Sequence, residues 1–239
     1  MEKLIKELND LLQVMNAHYH TQVNYDWFEH LDRISPSFYP FNKIEMIISQ
    51  LLASGTIGLD YYLEMRREYM ARNPNLFLYE KTPRPFGEKW AQDWLNELVP
   101  DLKKPSQKYD DNYSNGQYDF WYKGIRIEVK ASRAVKNDCE GTLISKAISS
   151  NSPADFDMNF QQLKPYCCDV FVWIGVWTDL IKYWVLSSKE VSNMKPSVQH
   201  RGNSEEGQIH INKNNINDFT QYEVNSNQIL QKIIEVSMT

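Results

Sequence analysis

At 239 residues, 42% hydrophobic and 24% charged, the chain is too apolar for disorder and long enough for one large domain with a helical extension. A net charge of −5 argues against wrapping nucleic acid by charge alone, although carboxylates at a metal site count against that total until the metal binds. No apolar run has the length of a membrane span, and the opening Met-Glu-Lys-Leu-Ile-Lys-Glu-Leu has a helical rhythm without a signal-peptide core, so a soluble intracellular protein is expected. The three cysteines, Cys139, Cys167 and Cys168, lack the spacing of a zinc set and the number for a disulfide framework, and read as buried or free thiols.

In chain order, Leu4, Ile5, Leu8, Leu11, Leu12 and Met15 recur at helical spacing over residues 2–15. His18, His20 and His30 follow among aromatics. His18-Tyr-His20, two histidines one residue apart, has no obvious carboxylate or thiol partner in the sequence and reads as loop or packing histidines, and Pro36 and Pro40 break any helix there. Asn42 caps a second helix over 42–53, carried by Ile44, Ile47, Ile48, Leu51 and Leu52. Gly55 and Gly58 separate it from a third over 59–72, with Leu59, Tyr62, Leu63, Met65 and Tyr69. This all-helical N-terminal region is closed by Asn73-Pro74-Asn75, and the domain boundary is placed at residue 80.

Pro83 and Pro85 open an amphipathic helix that buries Phe86, Trp90, Ala91, Trp94, Leu95 and Leu98 and stops at Pro100. Glu88, near its start, complements the helix dipole. A polar loop over 101–116 leads to two short strands joined at Lys123-Gly124. The second alternates strictly, with Ile125, Ile127, Val129 and Ala131 on one face and Arg126, Glu128, Lys130 and Ser132 on the other. If Lys123-Gly124 is a two-residue turn, Asp119 lies directly opposite Glu128. Opposed like charges are destabilising, and a hard divalent cation is the natural partner for such a pair. Lys130, on the same face, completes what phosphodiester hydrolysis requires: carboxylates for a metal that activates water, and an ammonium to orient that water or offset developing charge. From Lys123 to Lys136 there are also five basic residues, Lys123, Arg126, Lys130, Arg133 and Lys136, against the single acid Glu128.

Residues 135–157 are polar and poorly periodic. A glutamine-bearing helix is expected at Phe160–Asp169, then two apolar strands, Val170–Trp177 and Ile181–Leu186, turning at Thr178-Asp179. The first is a near-continuous apolar run, as in a strand covered on both faces. A short helix near Lys189–Met194 precedes a loop with Gln199, His200, Arg201 and Asn203, side chains that suit base edges. A short helix and strand over 214–224 and an amphipathic helix over 225–236, with Ile229, Leu230, Ile233 and Ile234, complete the chain.

Tyr118-Asp119, the hairpin and Glu128-Val129-Lys130 resemble the PD-(D/E)XK nuclease signature, with Tyr118 where the family often has proline. The wider context is similar to type II restriction endonucleases of that superfamily. The resemblance implies an α/β restriction-endonuclease-like core over 81–239, a mixed β-sheet flanked by helices. It implies Mg²⁺ held by Asp119, Glu128 and the Val129 carbonyl, with Lys130 positioning the attacking water. In such nucleases an acid on the preceding helix, matched by Glu88, can join the metal site. A glutamine in the element after the Glu-x-Lys strand, matched by Gln161 or Gln162 and carried forward as Gln162, often reaches the active site. The expected substrate is double-stranded DNA, contacted by Arg126, Arg133, Lys136, Gln199, His200, Arg201 and Asn203. The family default is a homodimer in a prokaryotic cytoplasm, with a cognate DNA methyltransferase as genetic rather than physical partner. The alternatives are a repair, recombination or structure-specific nuclease on the same core, or a non-cleaving DNA-binding protein. A non-nuclease hydrolase is poorly supported, since neither Gly-x-Ser-x-Gly nor Gly-x-x-x-x-Gly-Lys occurs.

Overall fold

The computed structural model describes residues 2–20, 22, 43–111, 113, 118–137, 141–194, 196–198 and 206–238. His30, Pro36, Pro40, Asn42 and Cys139 lie outside them. The fold is mixed α/β, built on a mixed sheet with helices against it. Its first hairpin joins β1 (Phe120–Tyr122) to β2 (Ile125–Arg133), pairing Tyr122 with Ile125, Trp121 with Arg126 and Phe120 with Ile127. The turn is primed, with φ of 46° at Lys123 and 93° at Gly124. Glycine adopts that conformation without steric cost, while Lys123 is held in it by the pairing on either side.

β5 (Val170–Val176) runs parallel to β2, and β6 (Ile181–Ser187) and the short β9 (Glu223–Val224) extend the sheet antiparallel, in the order β1-β2-β5-β6-β9. Every residue of β5 is buried because both faces of the sheet are covered. One face takes Ala91 and Leu95 from a helix over Ala91–Leu98 and Ile229, Ile233 and Val236 from the closing helix Ile229–Ser237. A 3₁₀ turn, Leu76–Tyr79, packs there too.

The other face is covered by a second, four-stranded antiparallel sheet. It comprises β3 (Val135–Lys136), β4 (Phe156–Leu163), β7 (Ser197–Val198) and β8 (Gly207–Asn212), in the order β3-β4-β8-β7. Met158, Phe160, Ile209 and Ile211 pack on Phe171, Trp173 and Trp184. Gly175 lies at this interface, where a Cβ would sit 3.0 Å from Met158 Sδ of the second sheet and 2.5 Å from the ring of Trp184 on the neighbouring β6. The helix expected over Phe160–Asp169 is corrected here. Phe156, Met158 and Phe160 alternate with period two and bury against the first sheet, so this segment is a strand, followed only by a 3₁₀ turn at Pro165–Cys167. The parallel crossover from β2 to β5 therefore passes through a second sheet.

The N-terminal helices α1 (Glu2–Tyr19), α2 (Lys43–Ala53) and α3 (Leu59–Arg72) gather Leu8, Leu12, Met15, Ile47, Ile48, Leu51 and Ile57 into their own cluster. α3 buries no residue fully, and its Leu59 and Leu63 are exposed. Asn75 then binds the helical region to the β5–β6 turn, its N–H donating to Thr178 O and its Nδ2 to Trp177 O. Among the described residues no helix is long and apolar enough to cross a membrane.

Candidate active site

The hairpin register carries Asp119, one residue before β1, to a place opposite Glu128. β1 ends there, so the edge of β2 beyond Ile127 is open to side chains. Asp119 Oδ2 accepts the Val129 N–H at 2.8 Å, and the Val129 carbonyl opens on the same edge because N–H and C=O of one strand residue point to one side. Lys130 Nζ lies 2.6 Å from Glu128 Oε1, and both side chains are largely buried.

Burial raises the pKa of both carboxyls above the ordinary range, Glu128 to about 7. For Asp119 the Val129 N–H, Lys130 and Lys104 oppose that rise. For Glu128 the Lys130 charge opposes it and the Asp119 charge adds to it.

Two residues without a motif of their own hold Asp119. Gln92 Nε2 donates to Asp119 Oδ1 at 2.5 Å, and Lys104 Nζ donates to Gln92 Oε1. Lys104 also sits 4.2 Å from the Phe120 ring centroid, and burial lowers its pKa. It arrives because the polar loop after Pro100 returns along the outer edge of β1, where Lys103 and Trp121 exchange both backbone hydrogen bonds. Gln92 was missed although it lies one helical turn after Glu88 and so shares its face, the one available sequence signal. Glu88 itself lines the cleft, but its carboxylate pairs with Arg84 at 2.7 Å and is well exposed.

Arg133, expected to contact DNA, lines the cleft with its guanidinium held by the protein's own backbone. It is 9% exposed, its Nη1 donates to Leu78 O at 2.9 Å and Lys81 O at 2.6 Å, and its guanidinium covers the Phe86 ring. Burial lowers its pKa. Beside it the Tyr79 hydroxyl lies 2.9 Å from Ala134 O and 2.8 Å from Val176 O. Together they bind residues 76–86 to the end of β2 and so aim the helix that brings Gln92 to Asp119. Arg126 is held by Asp169, Nη2 donating to Oδ1 at 2.7 Å and Nε to Oδ2 at 3.1 Å, which leaves less free positive charge than the sequence count suggests. Lys136 is exposed. Gln199, His200, Arg201 and Asn203 lie outside the described residues.

Above these groups opens a cleft of about 1150 Å³. Asp119, Glu128, Lys130 and Ser132 form its floor. One wall is the turn and helix around Pro85–Asp93, and the other is β4, from Asp157 to Gln162. Gln161 and Gln162 both line it, at an irregularity in the β4–β8 register between Phe160 and Leu163. Among the described residues no group of three Asp, Glu, His or Cys side chains comes together. The oxygens of Asp119, Glu128 and Val129 are nonetheless a hard donor set, and a divalent cation there would relieve the buried pair. With so few protein donors it would keep waters and take substrate oxygens, the habit of Mg²⁺. The residues present fit that group. No protein-family model and no curated protein matches the chain.

Proposed function

We propose that the chain is a Mg²⁺-dependent endonuclease of double-stranded DNA in the PD-(D/E)XK class, acting as a type II restriction endonuclease at a short specific sequence. The observation that carries the reading is the Asp119–Glu128 pair with Lys130, set on one strand face at the floor of an open cleft. Asp119, Glu128 and the Val129 carbonyl would hold the metal, which supplies phosphate polarisation and a more acidic water. Gln92 and Lys104 keep the Asp119 carboxylate oriented, so it enters the reaction without reorganising. Once the Glu128 charge is engaged elsewhere, the Lys130 ammonium is free to hold the attacking water and to offset charge on the phosphate. Glu88 and Gln162 line the cleft as further polar groups near substrate. A homodimer would match a twofold-symmetric site.

Incubation of the purified protein with long duplex DNA and Mg²⁺, beside an Asp119→Ala variant, tests this. Discrete fragments from the wild type and a loss of roughly 10³-fold in the variant are expected. A smear would move the reading to a nonspecific or structure-specific nuclease. Absence of cleavage by the wild type across DNAs and divalent metals would overturn it.

A further inference from the structure

The wall of the cleft opposite the helix carries three amide side chains, Asn159, Gln161 and Gln162, between Asp157 and Lys164, and its backbone departs from regular strand geometry where they are densest. β4 turns Phe156, Met158 and Phe160 inward, and it presents Asp157, Asn159 and Gln161 to the cleft. Strict alternation would then send Gln162 into the core. Instead the register shifts between Phe160 and Leu163, Gln162 takes a φ of 56°, and Gln161 and Gln162 are both exposed along the cleft. A non-glycine residue in the left-handed region is disfavoured, and bulges beside sites re-aim side chains.

A second observation lies at Asn159. Its Nδ2 donates to Gln208 Oε1 on β8 at 3.2 Å, while its Oδ1 is buried without a partner among the described residues. A buried acceptor left unpaired costs free energy, so a donor brought within reach of Asn159 Oδ1 from the cleft would be stabilised there. On the same face His210 holds Asp157, its Nδ1 lying 2.9 Å from both carboxylate oxygens. The wall is thus braced from β8 and not yet satisfied at its centre.

We propose that this wall reads sequence, with Asn159 and Gln161 contacting base edges of duplex DNA while the floor of the cleft acts on the backbone. The proposal rests on the endonuclease reading and assigns the specificity that reading leaves open. An antiparallel β-ribbon fits the major groove, and an amide side chain presents the donor and acceptor that pair with adenine N7 and N6. The bulge sets two amides side by side at the mouth, where a regular strand would offer one.

The test is a selection from a pool of randomised duplexes, with Mg²⁺ present and cleavage suppressed by Lys130→Ala in the full chain. That protein is expected to enrich one short motif. Adding Asn159→Ala should make one position of the motif degenerate, lowering discrimination there by roughly ten- to a hundredfold. Adding Gln161→Glu, which replaces the amide donor by an acceptor, should move the preference at another position toward cytosine, whose N4 donates. A gain of that kind is outside the reach of a structural defect, and thermal unfolding of each variant checks its fold. An unchanged motif with undiminished discrimination in both variants overturns the assignment and leaves the nuclease reading standing. Failure of the Lys130→Ala protein to enrich any motif overturns sequence reading and specific restriction together.

Discussion

The two sheets solve opposite problems with similar materials. The five-stranded sheet is covered on both faces at its centre, where β5 has no exposed residue, and it opens to the cleft along β2. The four-stranded sheet is buried on one face only, and leaves Asp157, Asn159 and Gln161 open to the cleft. Packing on both sides fixes a backbone closely, which suits a floor whose carboxylates must stay within reach of each other. Packing on one side leaves the other free to vary without unfolding the protein, which suits a wall that tells one substrate from another. On the proposed function, the difference would place chemistry and discrimination on separate layers.

The comparison breaks most readily at Gly175, where the layers meet. Gly175→Ala would push a methyl into the Trp184 ring and is expected to destabilise the protein by about 1–3 kcal/mol in denaturant titrations. Asn159→Ala, on the open wall, should cost much less. Equal losses at the two positions would mean that the second sheet is as tightly specified as the first.

A smaller effect concerns the floor. The Glu128 pKa rises from 4.5 in its ordinary state to about 7 in the fold, chiefly through burial. The folded state therefore holds a proton that the unfolded chain releases between those values. Its contribution to stability is complete below about 4.5 and is lost as pH rises through about 7. In metal-free solution the unfolding temperature should fall across that window, and Glu128→Gln should flatten the slope. A slope unchanged by that substitution would put the origin in another group.

The smallest expected change is a gain. Gln162→Gly removes the steric penalty at φ 56° and should raise stability by a few tenths to about 1 kcal/mol, measured by denaturant midpoint. The same change deletes an amide from the wall, so greater stability with weaker cleavage or looser specificity would show strain retained for function. Destabilisation would show that the Gln162 side chain supports the bulge.

Much of the floor was legible beforehand. Strict alternation over Ile125–Ser132 and the Lys123-Gly124 turn are local features, and they bring Asp119 opposite Glu128 with Lys130 on the same face. The apolar run of β5 announced a strand covered on both sides. Gln92 and Lys104 were not legible, because their meeting at Asp119 depends on how residues 76–86 and the loop after Pro100 dock on the hairpin. The partners of Arg133 were not legible for a related reason. A basic residue beside a candidate site suggests contact with DNA, and only the docking of Leu78, Lys81 and Phe86 against it shows what holds its guanidinium.

By itself the sequence determined the helices of the N-terminal cluster, the hairpin and its register, and the side-chain chemistry on one face of β2, since each depends on periodicities and turn preferences within a few residues. The tertiary structure decided that Phe160–Leu163 would be a strand, that both glutamines would face the cleft, and what would hold Asp119 in place. Those outcomes depend on contacts between segments far apart in the chain, where burying Met158 and Phe160 against Trp173 and Trp184 outweighs any local preference.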